Sequence, residues 1–470
     1  MRKVKIAILG AGTAGLSAQR TVARQTEDYV VIDPGPLGTT CARVGCMPSK
    51  GLLHTARLFH RIREGGPGIG DTKKISLETS QVMAHVRKLR DHFVGGVLRD
   101  QAKWQEAHWI PKRAKFLSPN TLDVEGEELE AESVIIATGS HPVLPQAWQD
   151  YQTHLVDTDS FFELPSLPNS MAVIGLGPVG FELGQALHYL GVEVVGFDQV
   201  RTVAGFTDPE LQNYAVAYFT QEMNLNFEAV ELTGTDENSL TLATGKQKYH
   251  VAKALVAVGR SPNVTDLGLE TLGVPLDDKG MPSFDSTTLQ VGDLPIFIAG
   301  DVNGTRPILH EAADEGRIAA FNALQDDAQC FERRVPLQIT FSRPQCAMVG
   351  MTFDQLRDQG IDFCIGETKF DNQGRAKIMG LNHGLLRVYA NKKDGKLLGA
   401  ELMAPQGEHL AHLIAWAIAL NQTASDLLRM PFYHPVVEEG LRSAIRDAAK
   451  KCGKELSFAE LMRCEDNPVL

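Results

Sequence analysis

The sequence lacks the long hydrophobic runs, basic clusters and dense cysteine pattern that define several classes of protein. Its apolar run at 413–420 is far shorter than the roughly 20 residues of a membrane-spanning helix, and no other run is long enough. The formal charge of −12, from 46 Lys and Arg against 58 Asp and Glu, disfavours an anionic partner. We therefore predict no membrane span and no nucleic-acid partner.

The sequence also has no signal peptide, since the short apolar run at 4–9 enters a glycine-rich turn and not a cleavage site. With 43% hydrophobic and 22% charged residues, the 470-residue chain is expected to form two to four soluble globular domains. Its seven cysteines are odd in number and scattered, which is typical of a reducing compartment, and we predict a cytoplasmic protein. These cysteines are Cys41, Cys46, Cys330, Cys346, Cys364, Cys452 and Cys464.

What the sequence does contain is one nucleotide-binding pattern, twice. The strand-like run at 4–9 leads into a GxGxxG turn at 10–15, a helix and a second strand follow, and Asp33 stands 23 residues after Gly10. Such glycines let a pyrophosphate approach the helix N-terminus, and the acid accepts a hydrogen bond from a ribose hydroxyl. A glycine turn without a ligand is the alternative, and the flanking strands and acid argue against it. The predicted contacts are Gly10, Gly12, Gly15 and Asp33.

The second copy of the pattern has its GxGxxG turn at 175–180, and Asp198 again stands 23 residues after Gly175. A carboxylate there would repel a 2′-phosphate and bind a free 2′-hydroxyl, so we favour NAD over NADP. Arg201 could grip a phosphate instead, although a surface position is its expected place. The predicted contacts are Gly175, Gly177, Gly180 and Asp198.

Cys41 and Cys46 form the closest pair of cysteines, with four residues between them and a helical pattern behind them. On a continuous helix they would be about 7–8 Å apart along the axis. A disulfide wants Cα atoms about 4.4–6.8 Å apart, so pairing needs a distorted backbone, which Gly45 and Pro48 permit. A helix N-terminus would also favour a thiolate. The pair alone is equally compatible with a redox dithiol and with two small buried cysteines.

Two places further along the chain add possible chemistry. His434 is followed by Glu439, and a carboxylate on one imidazole nitrogen strengthens the other nitrogen as a base. A dithiol needs such a base because only a thiolate attacks a disulfide, whereas a lone histidine would be a packed or surface residue. A buried strand at 296–299 ends in Gly300-Asp301, which could hold a flavin or simply continue an α/β sheet.

Taken in order, these motifs resemble the pyridine nucleotide–disulfide oxidoreductase family, class I, over essentially the whole chain. The most specific is the Cys-x₄-Cys-x-Pro-Ser-Lys string at 41–50. The others are both GxGxxG turns, Glu182, Ala137-Thr138-Gly139, Gly259-Arg260, Gly300-Asp301 and His434-Pro435 with Glu439. The resemblance implies an α/β protein with two Rossmann-like dinucleotide-binding domains and an α+β dimerisation domain. Its implied boundaries are an FAD-binding domain at 1–150, an NAD-binding domain at 151–279, a return segment to the FAD region at 280–335, and the dimerisation domain at 336–470.

The resemblance also implies roles for individual residues, with FAD and NAD as cofactors and no metal. Cys41 would exchange with the substrate, and Cys46 would lie against the flavin as a thiolate. Lys50 and Glu182 would pair beside the flavin. The implied cofactor contacts are Asp33 at the FAD ribose, Asp301 at the ribitol, and Thr138, Gly139, Gly259 and Gly300.

In the family, the histidine and its glutamate reach the cysteines of the other subunit. The resemblance therefore implies an obligate homodimer with shared active sites, and the family's spacing selects Glu439 over Glu438. The chain departs from the family where Arg43 replaces a common Asn, Phe432 a His, Val436 a Thr, and Asp33 and Asp198 the usual glutamates.

The predicted function is electron transfer from a small dithiol, dihydrolipoamide, through Cys41 and Cys46 and FAD to NAD, with a lipoyl domain of a multienzyme complex as a candidate partner. One alternative is an NAD(P)H-dependent reductase of a small disulfide such as glutathione disulfide. Another is a redox-sensing flavoprotein subunit without turnover. Mercuric ion reduction is disfavoured because it needs adjacent cysteines near the C-terminus, and Cys464 stands twelve residues from Cys452.

Overall fold

The computed structural model describes residues 2–66, 68–72, 75–453 and 461, so Cys464 lies outside the described residues. The chain divides into two compact units. The first contains residues up to 149 together with 156–167 and 258–333, and the second contains 150–155, 168–257 and the chain from 334 onward. Within the described ranges, no helix has both the length and the apolar character required to cross a membrane.

The first unit is built on a parallel sheet around β1 (Arg2–Leu9). β1 pairs on one side with β2 (Tyr29–Ile32), which pairs with β3 (Trp109–Ile110), and on the other side with β6 (Glu127–Ile136). β6 also pairs in parallel with β17 (Ile296–Ile298), so the return segment enters this sheet. β2, β17 and the later parts of β1 and β6 are continuous apolar runs, because both faces of the sheet are buried there.

Shorter strands and five α-helices complete the described part of the first unit. β4 (Lys115–Ser118) and β5 (Thr121–Val124) form an antiparallel meander with the start of β6, and β7 (Ser140–Pro142) pairs with β16 (Arg260–Pro262). The helices are α1 (Thr13–Val22), α2 (Thr40–Arg43), α3 (Cys46–Glu64), α4 (Thr79–His108) and α7 (Leu309–Ala323). Short 3₁₀ turns lie at Phe161–Glu163, Leu269–Leu272 and Asp301–Asn303, while the 3₁₀ segment Gln146–His154 and β8 (Leu155–Asp157) cross the boundary between the units.

The second unit begins with another parallel sheet, in which β9 (Ser170–Ile174) lies between β10 (Glu193–Phe197) and β15 (Lys253–Val256), and β11 (Asn224–Asn226) pairs with β10. Helices α5 (Pro178–Tyr189) and α6 (Pro209–Glu222) accompany it. A small antiparallel sheet follows, made of β12 (Glu231–Thr235), β13 (Leu240–Ala243) and β14 (Lys248–Val251).

The C-terminal part of the second unit is an antiparallel sheet of five strands covered by helices. The strand order is β18 (Leu337–Thr340), β19 (Gln345–Gly350), β22 (Leu397–Ala404), β21 (Leu385–Asn391) and β20 (Phe363–Lys369). Its helices are α8 (Phe353–Asp358), α9 (Gly374–Ile378), α10 (Gly407–Ala419), α11 (Ala424–Leu428) and α12 (Glu439–Lys451). Two Rossmann-like sheets and one α+β region confirm the predicted fold class, and the four boundaries inferred from the resemblance stay a prediction.

Candidate active site

The two cysteines of the dithiol lie on consecutive helices that meet at Gly45. Cys41 is in the one-turn helix α2, and Cys46 is the first residue of α3. A Cβ on Gly45 would stand 3.2 Å from the Cα of Cys41 and 3.2 Å from the carbonyl oxygen of Thr40, so glycine permits this close return of the backbone. The two cysteines therefore do not lie on one continuous helix, while their pairing in a disulfide stays a prediction.

The surroundings of the two thiols are not equivalent. The Cys41 side chain hydrogen-bonds that of Cys46, and this bond, followed by burial and by the negative charge of Cys46, raises the pKa of Cys41. The charge of Lys50 acts in the opposite direction. Cys46 stands at the N-terminus of a 19-residue helix, where the helix dipole favours negative charge. The first negative charge of the dithiol is therefore better accommodated on Cys46 than on Cys41.

The Arg43 side chain is bound to the backbone that precedes the dithiol. Its guanidinium donates a hydrogen bond to the carbonyl oxygen of Pro36 at 3.3 Å, in an exposed position. The cation that influences the pKa of Cys41 is Lys50. A charge between the two cysteines could lower a thiol pKa or simply face water, and the exposed hydrogen bond of Arg43 favours the second role.

In the first glycine turn, an added Cβ would have space at one glycine and would clash with the backbone at the other two. Gly10 has a φ of +109°, and a Cβ there would stand 2.3 Å from the carbonyl oxygen of Ala137. A Cβ on Gly15 would stand 1.9 Å from the carbonyl oxygen of Gly10, whereas a Cβ on Gly12 would meet nothing within 4 Å. The open side at Gly12 fits a pyrophosphate approaching the N-terminus of α1.

The second glycine turn repeats this arrangement. Gly175 has a φ of +97°, and a Cβ on Gly180 would stand 2.0 Å from the carbonyl oxygen of Gly175. A Cβ on Gly177 would again meet nothing within 4 Å. The residues present at both turns thus fit a dinucleotide.

Each of the two acids already holds the backbone of its own turn. Asp33 Oδ2 accepts a hydrogen bond from Ala11 N at 2.6 Å, and Asp198 Oδ2 accepts one from Leu176 N at 2.8 Å. A carboxylate oxygen has two lone pairs, so each acid can still accept a ribose hydroxyl. Arg201 donates to the side chain of Asn213 at 2.8 Å in an exposed position.

Thr138 and Gly139 are held by Asn263, which was not among the predicted site residues. Asn263 Nδ2 donates to the carbonyl oxygen of Thr138, and the hydroxyl of Thr138 donates to the carbonyl oxygen of Asn263, both at 2.8 Å. Asn263 N also donates to the carbonyl oxygen of Gly139 at 2.9 Å. Because Asn263 lies 125 positions from Thr138, no local pattern in the sequence indicates this contact.

Gly300 and Asp301 lie beside the strand pair β7–β16. Gly300 has a φ of +84°, and Glu315 Oε2 accepts a hydrogen bond from its N–H at 2.5 Å. Burial raises the pKa of the Asp301 carboxyl, and the charge of Arg260 partly offsets this effect. Gly259 has a φ of +117°, and a Cβ there would meet nothing within 4 Å.

Glu182 is a buried acid on α5, behind the second glycine turn. It is 4% exposed, and its Oε1 accepts a hydrogen bond from Phe341 N at 2.6 Å. Gln185, almost one turn later, accepts from Arg343 N at 2.8 Å and donates to Arg343 O at 3.0 Å. These bonds fasten α5 to the chain before β19. Lys50 lies in the first unit, and its pairing with Glu182 stays a prediction.

The His434 side chain pairs with Glu439 on the surface of the second unit. Their Nδ1 and Oε1 atoms are 2.9 Å apart, and the His434 side chain is 81% exposed. Glu439 begins α12, and its Oε2 accepts a hydrogen bond from Val436 N at 3.2 Å. The hydrogen bond from His434 lowers the pKa of the Glu439 carboxyl. The pair uses Nδ1, and the role of Nε2 as a base stays a prediction.

The structure thus brings the predicted residues together in groups. Cys41, Cys46 and Lys50 form one group, each glycine turn with its acid forms another, and His434 with Glu439 forms a further one. Their joint roles in one reaction stay a prediction, because the dithiol and His434 belong to different units.

Comparison with known proteins extends these observations to the whole chain. A family model described as pyridine nucleotide-disulphide oxidoreductase matches residues 4–316, and one described as its dimerisation domain matches 337–445. A dihydrolipoyl dehydrogenase of Thermus scotoductus is 29% identical over 452 residues, which cover 94% of this chain and 97% of that protein. A mercuric reductase of Bacillus cereus is 28% identical over 458 residues, which cover 95% of this chain and 72% of that protein.

Solved structures share the fold. A Cu(II) complex of RclA, an HOCl-induced flavoprotein disulfide reductase of Escherichia coli, superposes with a TM-score of 0.82 at 21% identity, covering 95% of this chain and 99% of that one. LpdA of Mycobacterium tuberculosis gives a TM-score of 0.80 at 23% identity, with coverage of 95% and 99%. The family uses FAD and NAD(P), and its dimerisation domain supports a homodimer. From its glycine turns to its C-terminal sheet, the chain belongs to the pyridine nucleotide–disulfide oxidoreductase family and is a flavoprotein disulfide oxidoreductase.

Proposed function

We propose that this flavoprotein is a dihydrolipoyl dehydrogenase, which oxidises dihydrolipoamide with NAD⁺ in the cytoplasm. The substrate loses two electrons and two protons and closes its disulfide. NAD⁺ takes up one hydride, and the second proton goes to solvent. A lipoyl domain of a multienzyme complex is the proposed carrier of the substrate.

The observation that carries this proposal is Asp198 at the second glycine turn. Its carboxylate stands at the end of β10, where it favours a free 2′-hydroxyl and disfavours a 2′-phosphate. Arg201, the one cation that the sequence offered as a phosphate ligand, is engaged with Asn213. A preference for NAD favours dihydrolipoamide oxidation over NADPH-driven reduction of a small disulfide.

The proposed roles of the dithiol follow from the different surroundings of its two sulfurs. A substrate thiolate attacks Cys41 in the Cys41–Cys46 disulfide, and Cys46 leaves as a thiolate at the N-terminus of α3. The second substrate thiolate then displaces Cys41, and oxidised lipoamide departs. FAD, when bound, carries the electron pair from the dithiol to the nicotinamide.

Proton transfer is proposed for the His434–Glu439 pair of the second copy in the dimer. His434 accepts the substrate thiol proton at Nε2, while Glu439 holds the imidazole through Nδ1–H. Lys50 and Glu182 are proposed to pair beside the flavin. Asp33, Thr138, Gly139, Gly259, Gly300 and Asp301 are the proposed contacts of FAD.

The similarity to a mercuric reductase suggests reduction of Hg(II) as a second candidate function. Its assessment depends on Cys464. Reduction of Hg(II) would need adjacent cysteines near the C-terminus, and the sequence holds only Cys464 after Cys452. We therefore keep dihydrolipoamide as the proposed substrate and include the mercuric ion in the test.

The deciding experiment is an anaerobic steady-state comparison of electron donors and acceptors with the full-length homodimer. NAD⁺ reduction by dihydrolipoamide is measured beside NADH and NADPH oxidation by lipoamide, glutathione disulfide and Hg(II). Fast, NAD-specific turnover with dihydrolipoamide is the expected result. NADPH-driven reduction of glutathione disulfide without lipoamide activity would contradict the proposal and return Arg201 to consideration as a phosphate ligand.

A further inference from the structure

The carbonyl side of the first glycine turn is held by a side chain that has no assigned role. Gln101, on α4, is 1% exposed, and its Nε2 donates to the carbonyl oxygen of Ala11 at 3.4 Å. The N–H of Ala11 is held from the other side by Asp33, at 2.6 Å. The middle residue of Gly10-Ala11-Gly12 is therefore fixed at both of its polar backbone atoms.

Holding this carbonyl also orients the next N–H group. The carbonyl of Ala11 and the N–H of Gly12 belong to one planar trans peptide unit, so they point in opposite directions. Gly12 is the glycine whose Cβ direction is open, at the N-terminus of α1. A donor on the carbonyl of Ala11 thus aims the N–H of Gly12 to the side away from Gln101.

The second glycine turn holds the equivalent peptide with a different donor. Leu176 corresponds to Ala11, and its N–H is bound by Asp198 at 2.8 Å. Its carbonyl oxygen accepts a hydrogen bond from the backbone N–H of Ala204 at 3.0 Å. The same peptide is therefore held on both sides at both turns, by a backbone donor at one and by the Gln101 side chain at the other.

Gln101 holds the turn at a cost to stability. Its Oε1 is buried and has no hydrogen-bond partner among the described residues. A buried, unpartnered amide oxygen destabilises the fold, and an apolar side chain of similar size would avoid this. Such a local violation is expected where a residue serves a function.

We propose that Gln101 is a positioning residue for FAD, acting through Ala11 to direct the N–H of Gly12 at the pyrophosphate. The inference rests on the part of the proposed function that assigns the first turn to FAD. It does not depend on the thiol substrate.

The test is FAD titration into deflavinated full-length protein, using the near-isosteric variant Gln101→Met. We expect the dissociation constant of FAD to rise about 3- to 10-fold, as for the loss of one hydrogen bond. The thermal unfolding midpoint of the apoprotein should stay the same or rise, because the unpartnered oxygen is removed. NAD binding should not change, since the second turn uses the N–H of Ala204.

Gln19→Met is the matched control. Gln19 is also a buried glutamine of the first unit, but its Nε2 donates to the hydroxyl of Tyr29 at 2.9 Å and not to a glycine turn. This variant should lower the unfolding midpoint of the apoprotein and leave FAD affinity unchanged. Gln101→Leu is the substitute if Gln101→Met does not fold.

Two results would overturn the inference alone. In one, FAD binds the Gln101 variant as tightly as the wild type. In the other, the Gln101 variant binds FAD more weakly and the unfolding midpoint of its apoprotein falls by a corresponding amount. That result would mean that Gln101 only stabilises the fold. A wild-type protein that binds no FAD would overturn the assignment of the first turn itself, independently of any turnover assay.

Discussion

Within one protomer, the dithiol and the base proposed for thiol exchange lie in very different surroundings. The dithiol is set by its own segment, since Gly45 brings Cys41 back to Cys46, and α3 supplies the helix N-terminus. The base, by contrast, stands on the surface, with the His434 side chain 81% exposed. A single chain therefore brings Cys41 and Cys46 together, whereas His434 faces solvent.

This difference agrees with the proposal that the second copy of the dimer supplies the base. In the proposed reaction the substrate thiol needs a base before it can attack the Cys41–Cys46 disulfide, because only a thiolate attacks. Glu439 holds Nδ1 of the His434 imidazole, and a docked second copy would bring the thiols within reach of Nε2. The matched dimerisation domain contains His434 and Glu439 within residues 337–445. Substitutions at the dithiol and at the proposed base test whether either group acts without the other.

Cys46→Ser should have the largest effect. A serine cannot form the disulfide, so dihydrolipoamide-dependent NAD⁺ reduction should fall by a factor of at least about 10³. FAD and NADH sites remain, so NADH oxidation by an artificial dye should persist in the same preparation. Full dithiol turnover in this variant would instead support the redox-sensing or scaffold role and reject the proposed one.

His434→Gln should come next, with a loss of roughly 10²- to 10⁴-fold in the same assay, as for removal of a general base. A mixture of the His434→Gln and Cys46→Ser proteins tests whether one active site takes its cysteines and its histidine from different subunits. If the sites are shared, each mixed dimer holds one intact Cys–His set, and random exchange should restore about one quarter of wild-type activity. A mixture as inactive as its two components would show that Cys46 and His434 act within one chain.

Glu439→Gln should have a smaller effect, roughly 10-fold, because the amide can still accept from Nδ1–H but carries no charge. The hydrogen bond from His434 lowers the pKa of the Glu439 carboxyl. Its contribution is therefore present above the ordinary carboxyl pKa and is lost as the pH falls through the lowered value. Glu438→Gln is the matched control, and an equal loss there would mean that the wrong glutamate has been assigned.

The sequence was sufficient wherever neighbouring residues determine the geometry. The GxGxxG spacing with an acid 23 residues later predicted both turns, because the last glycine of each turn packs against the carbonyl oxygen of the first. The break between Cys41 and Cys46 followed from Gly45 and from the reach of a disulfide. The pairing of His434 with Glu439 followed from a family's spacing, since their charges alone would also have allowed Glu438.

The sequence was insufficient where contacts join distant positions. Gln101 reaches Ala11 across 90 residues, and Asn263 reaches Thr138 across 125. Neither position carries a periodic or local pattern that could announce the contact. The direction of the Arg43 side chain also required coordinates, because a charge between two cysteines was compatible with both of its possible roles.

Removing Cys46 should also change the acidity of its neighbour. The hydrogen bond to Cys46 is the largest cause of the raised pKa of Cys41, so the pKa should fall towards the ordinary thiol value in Cys46→Ala. More Cys41 is then ionised at any pH below that value, and alkylation by iodoacetamide should be faster than in the reduced wild type. Mass spectrometry of the peptide containing Cys41 measures the rate, and a slower reaction would contradict the prediction.

Arg43→Met should have the smallest effect on the dithiol, although it removes a full charge two residues from Cys41. The guanidinium is bound to the carbonyl oxygen of Pro36, and the charge that lowers the pKa of Cys41 belongs to Lys50. We therefore expect the pH dependence of Cys41 alkylation to match the wild type in Arg43→Met. In Lys50→Met it should move to higher pH, because a nearby positive charge no longer favours the thiolate. A shift of similar size in both variants would show that the charge of Arg43 also acts on the dithiol. The surroundings of the dithiol would then depend on an exposed side chain as well as on its own helices.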